Sequence, residues 1–260
     1  WGLPPLALVR LMRAIALTWS GSLQEAFHEY DRSHRMADED GSPEMASYVF
    51  CFSSEAYFLT LESDRALASA RQAEAISRTL DSSGLAGFVQ LALGYAHLAA
   101  GRATDAAKAA RNALEFLRLT DKARAGEAAA VVAEALLQKG DLAAALSAAE
   151  EAIALCSRSL RAIYEAMAHG VVARVLLRRD GAVAREAVEA ELALAAGLLE
   201  QTGARTFTPS LLEWRAELAA ALGDDAAHMQ LLQQARNLFD EIGAPLQAQR
   251  ITALIGASPS

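Results

Sequence analysis

Few polar side chains in this sequence stand at the spacings that catalysis requires. The acidic pairs Glu150-Glu151 and Asp224-Asp225 could offer an acid and a base, but adjacent residues of a helix diverge by about 100° and cannot converge on one substrate. Asp224 and Asp225 stand instead where the first turn of a helix favours a carboxylate that accepts free backbone amides. The chain contains no Gly-Lys pair of a phosphate-binding loop and no Gly-x-Ser-x-Gly nucleophile motif. We therefore predict no catalytic residue and no enzymatic activity for this chain.

Metal-binding residue types are scattered along the chain. Zinc sites need clustered Cys and His, yet neither cysteine has a partner at ligand spacing. His28 and His34 are separated by a spacing that places them on different faces of a helix. The residues concerned are Cys51, Cys156, His28, His34, His97, His169 and His228. We predict no metal site and no cofactor, and we interpret the two cysteines as buried free thiols in a reducing compartment.

Charge and hydropathy narrow the range of partners. The chain has 260 residues and a formal net charge of −8, whereas nucleic-acid binding favours a basic stripe that neutralises phosphates. We interpret the local basic run of Arg174, Arg178 and Arg179 as the last turn of a helix, where cations are favoured. Charged or amide side chains interrupt every apolar run before the ~18 residues of a membrane span, and no signal peptide opens the chain. These patterns predict a cytoplasmic protein that binds neither nucleic acid nor membranes.

The elements that must position these side chains are helical hairpins, which are clearest over residues 123–157. Ala and Leu dominate the first half at helical spacing, and Gly140 would end that helix in a left-handed conformation. Asp141 can cap the next helix, in which small residues such as Ala145 and Ala149 share one face. Small residues on that face allow two antiparallel helices to pack closely.

The hairpin recurs along the whole chain. Small-residue anchors lie about 40 residues apart, within the range of periods that indicates a solenoid. They are Ala26, Ala66, Ala106, Ala145, Ala187 and His228, the last of which departs from the pattern. We predict an all-α solenoid, a right-handed superhelix of about six hairpins and a C-terminal capping helix, in one domain. The predicted hairpins cover residues 6–38, 43–80, 84–120, 123–157, 160–201 and 206–243, and the cap covers residues 245–255 of the domain 1–260.

This pattern resembles the tetratricopeptide repeat (TPR). The third hairpin carries the Leu-Gly pair of that family as Leu93-Gly94, and the second carries an aromatic residue of the first repeat helix as Tyr57. The period here is longer than the ~34 residues of a TPR, and Ala, Leu or Val replaces most of the large aromatics. The resemblance implies a TPR-like α-solenoid with extended helices.

The C-terminal third carries a second resemblance. Its runs are DG at 180–181, TGAR at 202–205, RAEL at 215–218, LGD at 222–224 and LFDEIGA at 238–244, together with Pro209. They resemble the end of the repeat region in large bacterial signalling proteins that join a class III nucleotide cyclase domain, an AAA-type or NB-ARC-like ATPase module and a TPR-like tail. A similar tail occurs in large ATP-binding LuxR-type transcription activators. Because the chain starts at Trp1 rather than methionine, we interpret it as a piece of such a protein.

The second resemblance implies a regulatory role. The chain would be a non-catalytic protein-interaction and regulatory repeat domain, the TPR tail of an adenylate cyclase-type protein. The alternative is the effector-binding sensor domain of an ATP-dependent LuxR-type activator. In either parent the tail would sense a partner or ligand and restrain the catalytic or DNA-binding end. Expected partners are a protein or peptide, including other domains of the parent chain, with a small-molecule effector as the alternative.

In TPR-like solenoids the first helix of every hairpin forms the concave wall, which is therefore the candidate binding surface. Carrying the helical register between hairpins predicts a groove with an aromatic end and a charged end. The aromatic end would contain Tyr48, Phe58, Phe88 and Tyr95, the charged end would contain Glu134, Arg174, Arg178 and Glu217, and Glu55, Glu127 and Glu213 share the same face. Aromatic anchors beside charged groups suit a peptide. The alternative is that the aromatics fill gaps between hairpins and the charges pair in solvent, where each pair is worth ~0–1 kcal/mol.

Overall fold

The computed structural model describes residues 3–80, 83–159 and 161–257, and within these ranges the chain forms helices and no strand. The α-helices are α1 (Pro5–Ser20), α2 (Leu23–Glu39), α3 (Pro43–Leu59), α4 (Ser63–Leu80), α5 (Ser83–Ala99), α6 (Ala103–Thr120), α7 (Lys122–Lys139), α8 (Leu142–Ser159), α9 (Ala162–Asp180), α10 (Arg185–Thr202), α11 (Thr208–Ala221), α12 (Asp225–Glu241) and α13 (Pro245–Ala257). Short 3-10 helices at Gly181–Ala184 and Arg205–Phe207 precede α10 and α11. Residue 160, where the fifth hairpin is predicted to begin, lies outside the described ranges, as does Trp1.

Local sequence signals explain where several helices begin and end. The Asp141 carboxylate accepts the backbone N–H of Ala144 at 3.3 Å, and the Asp224 carboxylate accepts that of Ala227 at 2.9 Å. These contacts satisfy amides that the first turn of a helix leaves without a partner. Gly140 ends α7 with a φ of 83°, in the left-handed region that glycine adopts without steric cost. The predicted caps at Asp141 and Asp224 and the predicted stop at Gly140 are confirmed.

Small residues allow the two helices of each hairpin to approach closely. Ala106, Ala145 and Ala149 are completely buried. A Cβ atom added to Gly126 on α7 would lie 2.5 Å from the Sγ atom of Cys156 on α8. The close approach that the small-residue stripe predicts is therefore present between α7 and α8.

Both cysteines are buried and free. Burial raises the pKa of the Cys51 thiol and of the Cys156 thiol to about 12. Because the thiolate is the reactive form, both side chains act as small apolar packing groups at neutral pH.

The first helices of the hairpins pack on one another and form the inner wall of the solenoid. The helix α3 packs on α5, α5 on α7, α7 on α9 and α9 on α11. The second helix of each hairpin packs against its own first helix. Stacking in this way buries a continuous core that no single hairpin could bury alone.

The first hairpin touches the last, so the solenoid curves back onto itself. The backbone N–H of Leu23 donates to the carbonyl of Ile242 at 3.3 Å, and the hydroxyl of Thr206 donates to the carbonyl of Thr18. Leu23 is fully buried in one core cluster with residues of α11, α12 and α13. Gly21 fits under Ile242, because a Cβ atom there would lie 2.9 Å from the Ile242 Cγ2 atom. The hairpin periodicity did not predict this closing contact.

Candidate functional site

A cavity of about 340 Å³ opens inside the solenoid, near the C-terminal ends of α3, α5 and α7. We call it the inner cavity. Its aromatic wall residues are Phe58, Phe207, Trp214 and Phe239, and its charged and amide wall residues are Glu134, Gln138, Arg174, Glu213, Glu217, Gln247 and Arg250. Small-molecule sites typically have volumes of roughly 300–1,000 Å³, so the inner cavity lies at the small end of that range.

An ion pair between α7 and α9 forms one side of the inner cavity. Both terminal nitrogens of Arg174 donate to the Glu134 carboxylate, and Arg174 Nε donates to the Gly170 carbonyl at 3.2 Å. The guanidinium also lies 5.1 Å from the ring centroid of Trp214 on α11. Burial opposes ionisation of Glu134, but Arg174 outweighs burial, so the pKa of Glu134 lies below its usual value. The pair is therefore charged at neutral pH.

The C-terminal helix α13 closes another side of the inner cavity. Arg250 donates to the Glu213 carboxylate on α11 at 2.8 Å and to the side-chain oxygen of Gln247 at 2.8 Å. Gln247 in turn donates to the carbonyl of Leu59, at the end of α3, at 3.3 Å. These contacts connect the last helix to the second and sixth hairpins across the mouth of the cavity.

Glu217 differs from the other two carboxylates of the inner cavity. Glu134 and Glu213 each pair with an arginine, whereas no hydrogen bond or ion pair reaches the Glu217 carboxylate from the described residues. Partial enclosure raises the pKa of Glu217, and the more distant charge of Arg174 reduces that effect. Glu217 is exposed, so solvent or a ligand can reach it.

Deeper in the solenoid, a buried polar network joins four hairpins. The carboxylate of Glu127, which is 1% exposed, accepts the Tyr95 hydroxyl at 3.3 Å and the guanidinium groups of Arg124 and Arg161 at 2.9 and 2.8 Å. The neighbouring Glu55 carboxyl accepts the Tyr164 hydroxyl at 3.0 Å. The buried Arg161 Nε atom has no hydrogen-bond partner within residues 3–80, 83–159 and 161–257. The network fills the centre of the solenoid and leaves little open space there.

Aromatic side chains occupy the opposite end of the inner wall. Tyr48 and Phe88 pack edge to face with ring centroids 5.1 Å apart, and Phe52 lies 6.2 Å from Phe88. The Arg124 guanidinium lies over both phenylalanine rings, at 4.6 Å from Phe52 and 4.9 Å from Phe88. Such cation–π contacts stabilise a packed wall.

The structure distributes the predicted groove residues over three levels of the inner wall. The inner cavity is lined by Phe58, Glu134, Arg174 and Glu217. Glu55 and Tyr95 belong to the buried network, and Tyr48 and Phe88 lie at the opposite end of the wall. Arg178 is exposed beside the cavity and donates to the Leu137 carbonyl at 3.1 Å. The expected division into an aromatic end and a charged end does not describe this arrangement. Residues ten positions apart on one helix, such as Tyr48 and Phe58, are separated by about 15 Å along its axis.

Sequence reasoning missed several residues of the cavity wall, including Trp214 and the α13 residues Gln247 and Arg250. One sequence feature, the glycine in the middle of α9, could have pointed to Trp214. A Cβ atom at Gly170, in the middle of α9, would lie 2.2 Å from the Trp214 ring. An interior helix glycine often marks such a close packing contact. No local pattern indicated that α13 would reach α3.

Two kinds of feature are missing from residues 3–80, 83–159 and 161–257. No group of three or more His, Cys, Asp or Glu side chains in these ranges is arranged to hold a metal ion. None of the helices in the same ranges combines the length and the apolar character that crossing a membrane would need.

Comparisons with known proteins identify the fold. No family model matches the chain, and no curated protein matches its sequence. The apo form of RapI matches with a TM-score of 0.57 and 16% identity, over 82% of this chain and 77% of that one. A Signal Transduction ATPase with Numerous Domains (STAND) protein with a tetratricopeptide repeat sensor, PH0952 from Pyrococcus horikoshii, matches with a TM-score of 0.57 and 12% identity. That match covers 96% of this chain and 41% of the STAND chain. At these identities the likeness concerns the fold alone, and it shows an all-α, TPR-like solenoid.

Proposed function

We propose that the chain is a non-catalytic regulatory repeat domain that binds an effector in the inner cavity and passes the binding event to its parent protein. The proposal rests on one observation: the wall of the inner cavity is built from residues of seven helices, namely α3, α5, α7, α9, α11, α12 and α13. A ligand in the cavity would contact hairpins that are far apart in the chain. Since a ligand stabilises the arrangement that it binds best, its binding would shift the relative positions of these hairpins.

The size of the open space favours an effector over a long peptide. Glu55, Tyr95, Glu127 and Tyr164 are each at most 4% exposed, so the centre of the inner wall offers no continuous groove. The inner cavity can take a small molecule or a short segment of a peptide. This geometry favours the effector-binding alternative over a peptide laid along the whole concave wall.

The proposed parent is a cytoplasmic bacterial signalling protein, of the adenylate cyclase type or of the LuxR type. The support is the resemblance of the C-terminal runs, two of which contribute Glu217 and Phe239 to the inner cavity. The STAND neighbour carries a TPR sensor and matches over only part of its length, which supports the assignment of this chain as one module of a larger protein.

A variant with a filled cavity tests the proposed function. Ala99, on the cavity wall, is replaced by Phe, and the matched control replaces the exposed Ala220 of α11 by Phe. A library of amines, amino acids, nucleotides, oligosaccharides and short peptides is screened by thermal shift. A ligand at 100 times its dissociation constant should stabilise the wild type by about 2.7 kcal/mol. We expect at least one class to stabilise the wild type and Ala220→Phe but not Ala99→Phe.

The same pair of variants is then placed in the intact parent. We expect Ala99→Phe to abolish the response of the parent's activity to the effector, while Ala220→Phe responds like the wild type. Equal ligand-induced shifts in both variants would show that the inner cavity is not the sensing site.

A second candidate function is protein interaction through α1. Leu6, Val9 and Met12 share one face of this helix and are 67%, 63% and 49% exposed. Contiguous exposed apolar residues mark surfaces that contact another protein or domain. The variant Val9→Glu with Met12→Glu should keep its fold and lose contact with the remainder of the parent, as measured by co-purification of separately expressed parts. Leu194→Glu, at an apolar residue exposed on α10, is the control.

A further inference from the structure

We infer that the inner cavity binds a cationic group, an ammonium or a guanidinium carried on an apolar body, and that Glu217 is the residue that pairs with it. The inference rests on the proposed function and names the chemical class of the effector.

The charge balance of the cavity wall is the first argument. Among the residues that the structure describes, three carboxylates and two guanidinium groups line the cavity. The ion pairs Glu134–Arg174 and Glu213–Arg250 include all of these groups except Glu217. Arg178, the other cation whose charge acts on Glu217, is not among the wall residues and donates to the Leu137 carbonyl. One carboxylate of the wall, Glu217, therefore has no direct ion-pair partner among the described residues.

The two arginines of the cavity wall already have hydrogen-bond partners. Arg174 donates to Glu134 and to the Gly170 carbonyl, and Arg250 donates to Glu213 and Gln247. An anionic ligand would have to displace these contacts and would face an unpaired carboxylate. A cation can reach Glu217 without breaking either pair, and charge-assisted hydrogen bonds are among the strongest that a protein makes.

The apolar part of the wall is the third argument. Phe58, Phe207 and Met167 line the same cavity as Glu217. Trp214 lies 5.1 Å from the guanidinium of Arg174, so the wall combines aromatic rings with charged groups. A ligand with a cationic end and an apolar body would therefore satisfy both parts of the wall.

Three probes of similar shape and different charge test the inference. They are phenethylamine, 2-phenylethanol and 3-phenylpropionate, and binding to the purified chain is measured by calorimetry and by the fluorescence of Trp214. The sequence also contains Trp1 and Trp19, which contribute to the fluorescence, so a Trp214→Phe variant identifies the contribution of Trp214. We expect phenethylamine to bind at least about tenfold more tightly than the alcohol, and the acid to bind most weakly.

Variants of the carboxylate separate its role from that of the cavity. Glu217→Gln should weaken phenethylamine binding at least about tenfold and leave the affinity for the alcohol unchanged. Glu200→Gln, at an exposed carboxylate on α10, is the matched control and should bind like the wild type. Protonated Glu217 cannot pair with a cation, so the affinity for phenethylamine should rise with pH in the wild type and not in Glu217→Gln. The other charged groups that act on Glu217, namely Arg174, Arg178, Glu134 and Glu213, are unchanged in both proteins.

A peptide arm distinguishes the two sources of such a cation. The pair acetyl-Phe-Lys-amide and acetyl-Phe-norleucine-amide differs only in the ammonium group. Tighter binding of the lysine peptide than of phenethylamine would identify a basic peptide segment as the ligand, and the reverse order would identify a small amine. Three results would each overturn the inference. They are equal affinity for the charged and neutral members of each series, absence of binding by both cationic probes, and an unchanged phenethylamine affinity in Glu217→Gln. The proposed function would still stand if another class in the thermal-shift screen depended on Ala99.

Discussion

At the scale of single residues, two buried carboxyl groups in the centre of the solenoid differ in the hydrogen bonds that they accept. Glu127 accepts hydrogen bonds from Tyr95, Arg124 and Arg161, whereas Glu55 accepts one from Tyr164. Burial, followed by the nearby charge of Glu127, raises the pKa of Glu55 from 4.5 to about 7. Glu55 therefore keeps its proton in the folded protein at a pH where the unfolded chain has lost it.

Replacing Glu55 by Gln should change the pH dependence of stability. The unfolded chain releases the Glu55 proton at lower pH than the folded protein, so this residue makes the wild type less stable as pH rises from 4.5 to about 7. Glutamine can still accept the Tyr164 hydroxyl and has no proton to release. We expect the free energy of unfolding to fall less over this interval in Glu55→Gln than in the wild type, as measured by urea denaturation. Parallel curves of unfolding free energy against pH for the two proteins would refute the raised pKa of Glu55. Glu200→Gln serves as the surface control.

Two glycines in neighbouring helices should respond oppositely to substitution by alanine. At Gly170 the added methyl would collide with the Trp214 ring, 2.2 Å away, whereas at Gly197 on α10 it would meet no atom of the described part of the chain within 4 Å. Gly170→Ala should destabilise the protein by about 1–3 kcal/mol and alter Trp214 fluorescence. Gly197→Ala should stabilise it by about 0.5–1 kcal/mol, since glycine disfavours a helix interior. Thermal unfolding of both variants measures these effects, and equal shifts would contradict the packing described for α9 and α11.

At the scale of elements, the small-residue stripe determines how closely paired helices pack. Ala145 is completely buried against α7, whereas Ala143, two residues earlier on α8, is exposed. Ala145→Leu should destabilise the protein by about 1–3 kcal/mol through overpacking, and Ala143→Leu should change stability by less than about 0.5 kcal/mol. Chemical denaturation of the two variants gives the comparison. Similar denaturation midpoints for Ala145→Leu and Ala143→Leu would mean that the α7–α8 interface has a different register.

Local patterns predicted the elements well because their causes are local. The caps at Asp141 and Asp224, the stop at Gly140 and the buried face of α8 each depend on residues within one or two helical turns. The helical register carried between hairpins also placed Phe58, Glu134, Arg174 and Glu217 on the inner wall, and these four residues line the inner cavity. The position of α13 depends on the angles accumulated over all the preceding hairpins, and no short run of sequence encodes that sum. The cavity that α13 closes therefore became visible only in the structure.

At the scale of the whole molecule, the contact between the first and last hairpins determines whether the solenoid is closed. Ile242 is 3% exposed, and its carbonyl and side chain meet Leu23 and Gly21. Ile242→Glu would bury a charge in this contact, at a cost that separation of the two ends relieves. We expect spin labels at positions 20 and 241 to lie farther apart in Ile242→Glu than in the wild type, by pulsed paramagnetic resonance.

The control for the closing contact is Leu194→Glu, which adds the same charge on an exposed part of α10. It should leave the label distance unchanged. Because both native cysteines are buried, labels will attach selectively to the introduced ones. An unchanged distance in Ile242→Glu, with helical content preserved, would show that the two ends are held together by other contacts.

The closing contact also affects how the chain folds as it is synthesised. Most hairpins of a repeat protein can fold against the neighbour that has just emerged, so folding follows translation closely. The apolar surface of Leu23 is an exception, because its partners in α12 and α13 lie roughly 220 residues downstream, or on the order of ten to forty seconds later at usual elongation rates. During that interval the first hairpin exposes a surface suited to chaperones or to another nascent copy. Completion of α13 covers this surface, and the contact then lets hairpins that are distant in the chain support one another.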